Sequence, residues 1–302
     1  MKRWQADALL ALVGLIWGFG FVAQKDASAQ LGAFTFVACR FLISALFVLP
    51  LMLREKGISR VVTAVRAGAG GKIAALCLVF MAGVDLQQYG TADTTATHSA
   101  FLTGTYVVLV PFVGLALYRH RLSLGVVLAG ALSLVGVGFL TDADIRHLAS
   151  GFNRGDVLML LCAVCLAAQV AVMGHMVGLM KMPFTFSFLQ YASTGLVALI
   201  IALWREPMDA HALAHAWLPI VYAGVASGGI AYTLQAVAQQ HTPSADSAII
   251  MGSMETLFGA VGAAWLLHER MTGAGYIGAA AILASIVLVE LVPYWQARRG
   301  RG

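Results

Sequence analysis

Three charged side chains lie inside long apolar stretches of this chain: Arg40, Asp85 and Glu255. A charge at membrane depth is costly and marks a candidate functional site by default. Arg40 and Asp85 are both predicted about 8–10 Å below the outer surface, at 1.5 Å per helical residue. Two interpretations follow: a structural ion pair between neighbouring helices, or an outer gate in which Arg40 binds a substrate carboxylate.

Glu255 is predicted near the membrane midplane, with no basic residue evident at its depth. A carboxyl group in that position is suited to coupling protons or to binding a substrate ammonium group. The alternative is a structural role, in which helix backbone or Ser and Thr neighbours satisfy the carboxyl group by hydrogen bonding.

A second set of candidates is polar or aromatic and placed where it could line a cavity. Amides and phenols in lipid must find partners or a wet cavity. For each residue alone, a hydrogen bond between helices is as good an interpretation as contact with substrate. Their spread over several helices favours a shared substrate pathway. The set comprises Trp17, Gln87, Gln88, His98, Tyr106, Gln169, Tyr232 and Gln235.

The composition identifies the elements that must position these residues. Hydrophobic residues make up 60% of the 302 positions and charged residues 11%, whereas soluble domains average about 25% charged residues. The scattered Lys and Arg residues form no basic stripe, so no nucleic-acid partner is expected.

Ten apolar stretches are long enough to cross a bilayer: 5–24, 33–53, 72–90, 95–118, 122–140, 155–174, 183–204, 214–238, 244–267 and 272–293. Within the fourth stretch, Pro111 is a candidate hinge because proline frees a backbone carbonyl.

The chain is a tandem duplication, since one apolar pattern recurs at an offset of 148. The matched positions include Ser99, Ala100, Gly104, Gly114, His120 and Leu140, which recur as Ser247, Ala248, Gly252, Gly262, His268 and Leu288. Five spans in each copy force the second copy to enter the membrane upside down. The predicted fold is therefore an all-α membrane protein of ten transmembrane helices, in which repeats 1–148 and 149–302 are inverted relative to each other. Many secondary transporters are built in this way.

Lys and Arg residues predict the orientation, because they are enriched in cytoplasmic loops. With the N-terminus inside, most of them fall on the inner side, above all in the 54–72 loop. Both termini are therefore expected in the cytoplasm.

Cys162 and Cys165 form a C-x-x-C without a second pair or a nearby His, so no metal site and no cofactor are predicted.

Several segments together resemble the EamA family of the drug/metabolite transporter superfamily. They are Trp17-Gly18, Arg40-Phe41, the run from Phe101 to Pro111, Met254-Glu255, Trp265-Leu266-Leu267 and Glu269-Arg270. One departure is Thr256, where the family often has proline. The resemblance implies a ten-helix bundle, with the two repeats arranged around a central cavity, that exports small metabolites, commonly amino acids, across a bacterial inner membrane. Within the family the chain is most similar to the YddG-type amino-acid exporters.

The leading hypothesis is a secondary transporter for amino acids, including aromatic ones, that works by alternating access. The chain has no nucleotide-binding G-x-x-x-x-G-K-[ST] loop, so ATP is not the direct energy source. The alternatives are a carrier for sugar phosphates, nucleotide sugars or drugs, and a channel-like facilitator. A membrane enzyme is disfavoured because no catalytic motif is evident. The expected partners are a small-molecule substrate and the lipid bilayer, and the expected state is a monomer, although the fifth and tenth spans could also form a dimer face.

Overall fold

A computed structural model describes residues 1–118, 124–140, 153–207 and 209–299, and this part of the chain contains helices and no strands. The α-helices are α1 (Arg3–Ser28), α2 (Ala33–Arg54), α3 (Gly57–Ala64), α4 (Gly70–Asp93), α5 (Ala96–Gly104), α6 (Tyr106–Tyr118), α7 (Leu124–Leu140), α8 (Arg154–Met180), α9 (Pro183–Arg205), α10 (Ala210–His215), α11 (Trp217–Val221), α12 (Thr233–Ala238), α13 (Ser244–Leu266) and α14 (Gly273–Arg299). Two π-helical stretches, Val65–Ala69 and Tyr222–Tyr232, join α3 to α4 and α11 to α12. The predicted all-α class is confirmed for the described residues.

Eight helical stretches of the described chain are long and apolar enough to cross a membrane. They are Arg3–Ser28, Ala33–Arg54, Gly57–Asp93, Ala96–Leu117, Arg154–Met180, Pro183–Arg205, Trp217–Ala238 and Ser244–Leu266. The fifth and tenth predicted spans correspond to α7, of 17 residues, and to α14, whose shorter apolar part is Gly273–Ser285. A multi-pass membrane protein is thus confirmed, while ten spans stay a prediction. The predicted boundary between the repeats, at residues 148 and 149, lies outside the described residues.

The principal helix pairs join the two halves of the chain: α1 with α13, α2 with α9, α4 with α8, and α7 with α14. Glycines bring the partners close, as is usual in membrane bundles. A Cβ at Gly18 would lie 2.7 Å from the Gly259 backbone nitrogen, and one at Gly14 would lie 2.7 Å from Met254 Cβ. The later position on α1 meets the later position on α13, so the two helices run parallel.

The α4/α8 pair runs in opposite directions. A Cβ at Gly83 would lie 3.2 Å from Cys165 Cβ, whereas one at Gly90 would lie 2.6 Å from Met159 Sδ. The later position on α4 thus meets the earlier position on α8. The end of α4 also lies beside the end of α1, where Lys25 contacts it. These contacts make α8, which begins the second half, antiparallel to α1, which begins the first.

Reciprocal carboxylate caps fix the α2/α9 pair at both of its ends. Glu206, which follows α9, accepts hydrogen bonds from the Phe34 and Thr35 backbone N–H groups at the start of α2 (3.0 and 2.8 Å). Glu55, which follows α2, accepts one from the Thr185 N–H near the start of α9 (2.7 Å). A carboxylate satisfies the free N–H groups of a helix N-terminus and complements its dipole. The sequence patterns did not predict these caps.

Candidate central cavity

A small cavity lies at the middle of the bundle, between α1, α6, α8, α13 and the π-helical stretch Tyr222–Tyr232. It brings together residues from five of the predicted spans, and its lining comprises Trp17, Tyr106, Leu166, Gln169, Val170, Tyr232 and Glu255. Its volume is about 10 Å³, which is roughly the space that one water molecule requires. In this conformation the cavity therefore holds nothing as large as an amino acid.

Glu255 supplies the only carboxylate among the lining residues of this cavity. Its side chain is 3% exposed, and its Oε2 atom has no hydrogen-bond partner. The Tyr106 hydroxyl, which also lines the cavity, has no partner either. An unsatisfied buried polar atom is expensive, and more so when it belongs to a carboxylate. The Tyr106 hydroxyl lies close enough to the Glu255 carboxyl group to interact with it, so whatever enters the cavity competes with that contact.

Aromatic rings form one wall of the cavity. The Trp17 and Tyr232 ring centroids are 4.4 Å apart, and the Trp17 Nε1 group donates a hydrogen bond to the Ser227 carbonyl (3.1 Å). That carbonyl belongs to the π-helical stretch, a type of irregularity that is frequent at functional sites. Behind Tyr232 lie Phe80, at 5.0 Å between centroids, and Tyr191, at 6.4 Å.

Two of the predicted amides belong to a chain of glutamines beside the cavity. Gln235 Nε2 donates to Gln169 Oε1 (3.3 Å), and Gln169 Nε2 donates to Gln190 Oε1 (3.2 Å). All three side chains are buried, and Gln235 Oε1 has no partner. The sequence interpretation missed Gln190, although a buried amide in the middle of an apolar span was an available signal.

Arg40 is enclosed by aromatic and polar groups. It is 1% exposed, its guanidinium carbon lies 4.5 Å from the Phe41 ring centroid, and one of its terminal nitrogens donates to Gln24 Oε1 (3.2 Å). Its Nε atom and the Asp85 Oδ1 atom are both buried without partners. The ion pairs within 4.0 Å in the described chain do not include one between Arg40 and Asp85. The expected direct ion pair is therefore not formed in this conformation.

The other predicted residues lie away from the central cavity. His98 Nδ1 is 3.3 Å from Asp156 Oδ1, and His98 lines a second cavity of about 280 Å³ at the α5 end of the bundle. Gln88 Nε2 donates to Ser28 Oγ (3.0 Å), which links α4 to α1. Gln87 is buried on α4 but is not a lining residue of the central cavity.

The fourth predicted span has a local irregularity at Thr105, where the backbone angles stay helical, and the hinge at Pro111 stays a prediction. The helix α5 ends at Gly104 and α6 begins at Tyr106, while Pro111 lies within α6. The Leu102 carbonyl near the end of α5 accepts hydrogen bonds from both the Thr105 backbone N–H (3.3 Å) and Thr105 Oγ1 (2.6 Å). The irregularity therefore lies directly beside Tyr106.

Among the residues that the structure describes, no cluster of His, Cys, Asp or Glu side chains could hold a metal ion.

Comparisons with known proteins agree with this architecture. Residues 4–141 and 153–291 match the model of the EamA-like transporter family. An uncharacterized transporter of Archaeoglobus fulgidus is 32% identical over 291 residues, which cover 96% of this chain and 87% of that protein. One solved crystal structure aligns over 100% of this chain and 100% of its own chain. The TM-score is 0.69 at 15% sequence identity, which indicates a shared fold.

Proposed function

Because the chain belongs to the EamA-like transporter family and is a multi-pass membrane transporter, we propose that it is a secondary transporter for amino acids, including aromatic ones. Substrate binds in the central cavity between the two halves of the chain. As in the YddG-type exporters that the sequence resembles, transport is outward across a bacterial inner membrane, and both termini are cytoplasmic.

The observation that carries this proposal is the buried Glu255 carboxyl group, whose Oε2 atom makes no hydrogen bond, beside an aromatic wall. A substrate ammonium group would satisfy Glu255 with a charge-assisted hydrogen bond. Trp17 and Tyr232 would then face the substrate side chain, which suits aromatic and other apolar amino acids. The amide chain through Gln169 leaves one free acceptor, Gln235 Oε1, for a further polar contact.

The closed cavity favours alternating access over a permanent pore. A space of about 10 Å³ must widen before an amino acid can bind, so the helices around it have to move apart. The antiparallel arrangement of α1 and α8, and the parallel packing of α1 on α13, support the inverted-repeat architecture. In such transporters one half rocks against the other around a site near the midplane.

Uptake of a labelled amino-acid panel into proteoliposomes tests this function, with and without a pH gradient. We expect uptake of several amino acids, with aromatic ones among the best. Glu255→Gln keeps the shape but loses the charge, so it should reduce uptake at least about 10-fold, the loss expected for one charge-assisted contact. Glu206→Gln is the matched control, because it makes the same chemical change at a helix cap remote from the cavity.

Each outcome has a definite meaning. Loss of uptake in Glu255→Gln but not in Glu206→Gln supports the cavity as the substrate site. Gradient-driven uptake that Glu255→Gln abolishes would add proton coupling to the role of Glu255. Absence of uptake for every amino acid, with uptake of a sugar phosphate, nucleotide sugar or drug instead, would overturn the substrate class.

A further inference from the structure

Lys25 ties the end of α1 to the end of α4. Its ammonium group donates to the carbonyls of Thr91 (3.1 Å), Ala92 (3.0 Å) and Thr94 (2.6 Å). Thr91 and Ala92 belong to the last turn of α4, where the carbonyl groups have no partners within the helix. The negative end of the helix dipole also favours a cation at this position.

Glu269 makes the complementary contact to the next helix. It follows α13 in the chain, and its carboxylate accepts hydrogen bonds from the N–H groups of Ala96 and Thr97 (both 2.9 Å) and from Thr97 Oγ1 (2.7 Å). These N–H groups form the first turn of α5, the positive end of its dipole. Glu269 thus holds α5 as Lys25 holds α4.

The two contacts form one electrostatic unit. The end of α4 and the start of α5 are separated by Thr94 and Thr95 alone, so the α4–α5 turn presents a negative and a positive helix end side by side. The α1/α13 pair faces this turn with a cation and an anion. We propose that Lys25 and Glu269 are a charged latch, which holds the α1/α13 pair against the α4–α5 turn and keeps this end of the central cavity closed.

The sequence does not repeat the two latch residues at the equivalent positions of the other half. At the repeat offsets of 149 and 148, the equivalents of Lys25 and Glu269 are Gly174 and Arg121. Gly174 packs against Ser244, and the neighbouring contact is a neutral hydrogen bond from Gln239 Nε2 to the Val170 carbonyl (3.1 Å). These groups lie at the Asp7 end of α1, about 27 Å from Lys25 at 1.5 Å per residue. Opening at the Lys25 end requires release of the latch. The Asp7 end has charged contacts of its own, since Arg60 donates to the Met180 carbonyl at the end of α8 (2.6 Å) and Arg3 pairs with Asp246 at the start of α13.

The caps on the α2/α9 pair provide a natural comparison. Glu55 and Glu206 make the same kind of carboxylate contact as Glu269, but they join two helices of one pair and do so at both ends. Their removal should weaken that pair without favouring an opening at either end. A comparison of these caps with Glu269 therefore shows whether the loss of any carboxylate cap opens the cavity, or only the loss of the cap at the Lys25 end.

The test measures distances between spin labels across each end, in the full-length protein in nanodiscs with its four cysteines replaced by alanine. One pair of labels at Asp26 and Val157 reports on the Lys25 end, and another at Ala8 and Leu179 reports on the Asp7 end. All four sites are exposed in the structure. Lys25→Met and Glu269→Gln are each expected to raise the ratio of long to short distances at the Lys25 end about 10-fold, the effect of one charged hydrogen-bonding group.

Lys25→Arg preserves the charge and the donors, so it should retain the distance distribution of the parent protein, and Glu206→Gln should do the same. An unchanged distribution at the Lys25 end in both latch variants, or an equal change in Glu206→Gln, would overturn the proposal. If Lys25→Met does not fold, Glu269→Gln decides alone. The latch rests on the proposed alternating access but not on the substrate, so label distances can support it even if no amino acid is transported.

Discussion

Arg40 shows how a buried charge can be held without a direct ion pair. Its guanidinium lies over the Phe41 ring and donates to Gln24, and arginine makes contacts of this kind more often than lysine. Arg40→Met should lower the free energy of unfolding by about 1–3 kcal/mol, because it leaves the buried Gln24 Oε1 atom without its charged donor and removes the cation that attracts Asp85. Thermal unfolding in detergent measures the effect.

The second substitution Asp85→Asn in the Arg40→Met background should restore part of the loss, since it removes the orphaned charge. The control is Arg154→Met, which breaks a pair with Asp93 whose side chains are 76% and 39% exposed. Exposed pairs contribute about 0–1 kcal/mol. Equal losses in the Arg40 and Arg154 variants would contradict the role given to Arg40.

The sequence could predict the cavity residues that are unusual in lipid and could not predict the others. Glu255, Gln169 and Tyr232 stand out because a charged or polar group in an apolar span requires an explanation. Phe80 gives no such signal, because a phenylalanine in an apolar span packs equally well against lipid or against another ring. Lys25 also gives no such signal, because its role depends on carbonyls that lie 66–69 positions away in the sequence.

Helix packing in the bundle depends on where glycines face a backbone. A Cβ at Gly18 would lie 2.7 Å from the Gly259 nitrogen, whereas one at Gly20 would lie 3.5 Å from the flexible Ser227 side chain. Gly18→Ala should therefore push α1 away from α13 and cost about 1–3 kcal/mol, the usual range for overpacking. Gly20→Ala, two residues along the same helix, should be close to neutral. A smaller loss for Gly18→Ala than for Gly20→Ala in thermal unfolding would refute this packing.

Hydropathy predicts where the helices lie better than it predicts the irregularities within them. Eight predicted spans have matching helices in the described chain, because a bilayer-spanning helix must be about 20 apolar residues long. The irregularity at Thr105 and the π-helical stretch Tyr222–Tyr232 have no comparable signal in the sequence. In both places side chains bond to backbone carbonyls, and for the π-helical stretch the donors, Trp17 and Ser44, come from other helices. Such partners are known only once the helices are assembled.

At the scale of the whole molecule, each half of the chain supplies the partner surface of the other. The principal pairs each take one helix from either side of the predicted 148/149 boundary, and the Glu55 and Glu206 caps cross it in both directions. A half expressed alone would leave these helix ends without partners in lipid, where unsatisfied polar groups cost several kcal/mol each.

We therefore expect 1–148 and 149–302, expressed as separate chains, to be unstable singly and to assemble when expressed together. An affinity tag on one half should recover the other in equal amount, and the complex should regain transport. A cut between Gly252 and Ser253, inside α13, is the control that should not reassemble, because it divides the helix that packs along α1. Isolation of 1–148 alone as a monodisperse, protease-resistant species would contradict the mutual dependence of the halves. It would also weaken alternating access, since the cavity needs Trp17 and Tyr106 from one half and Tyr232 and Glu255 from the other.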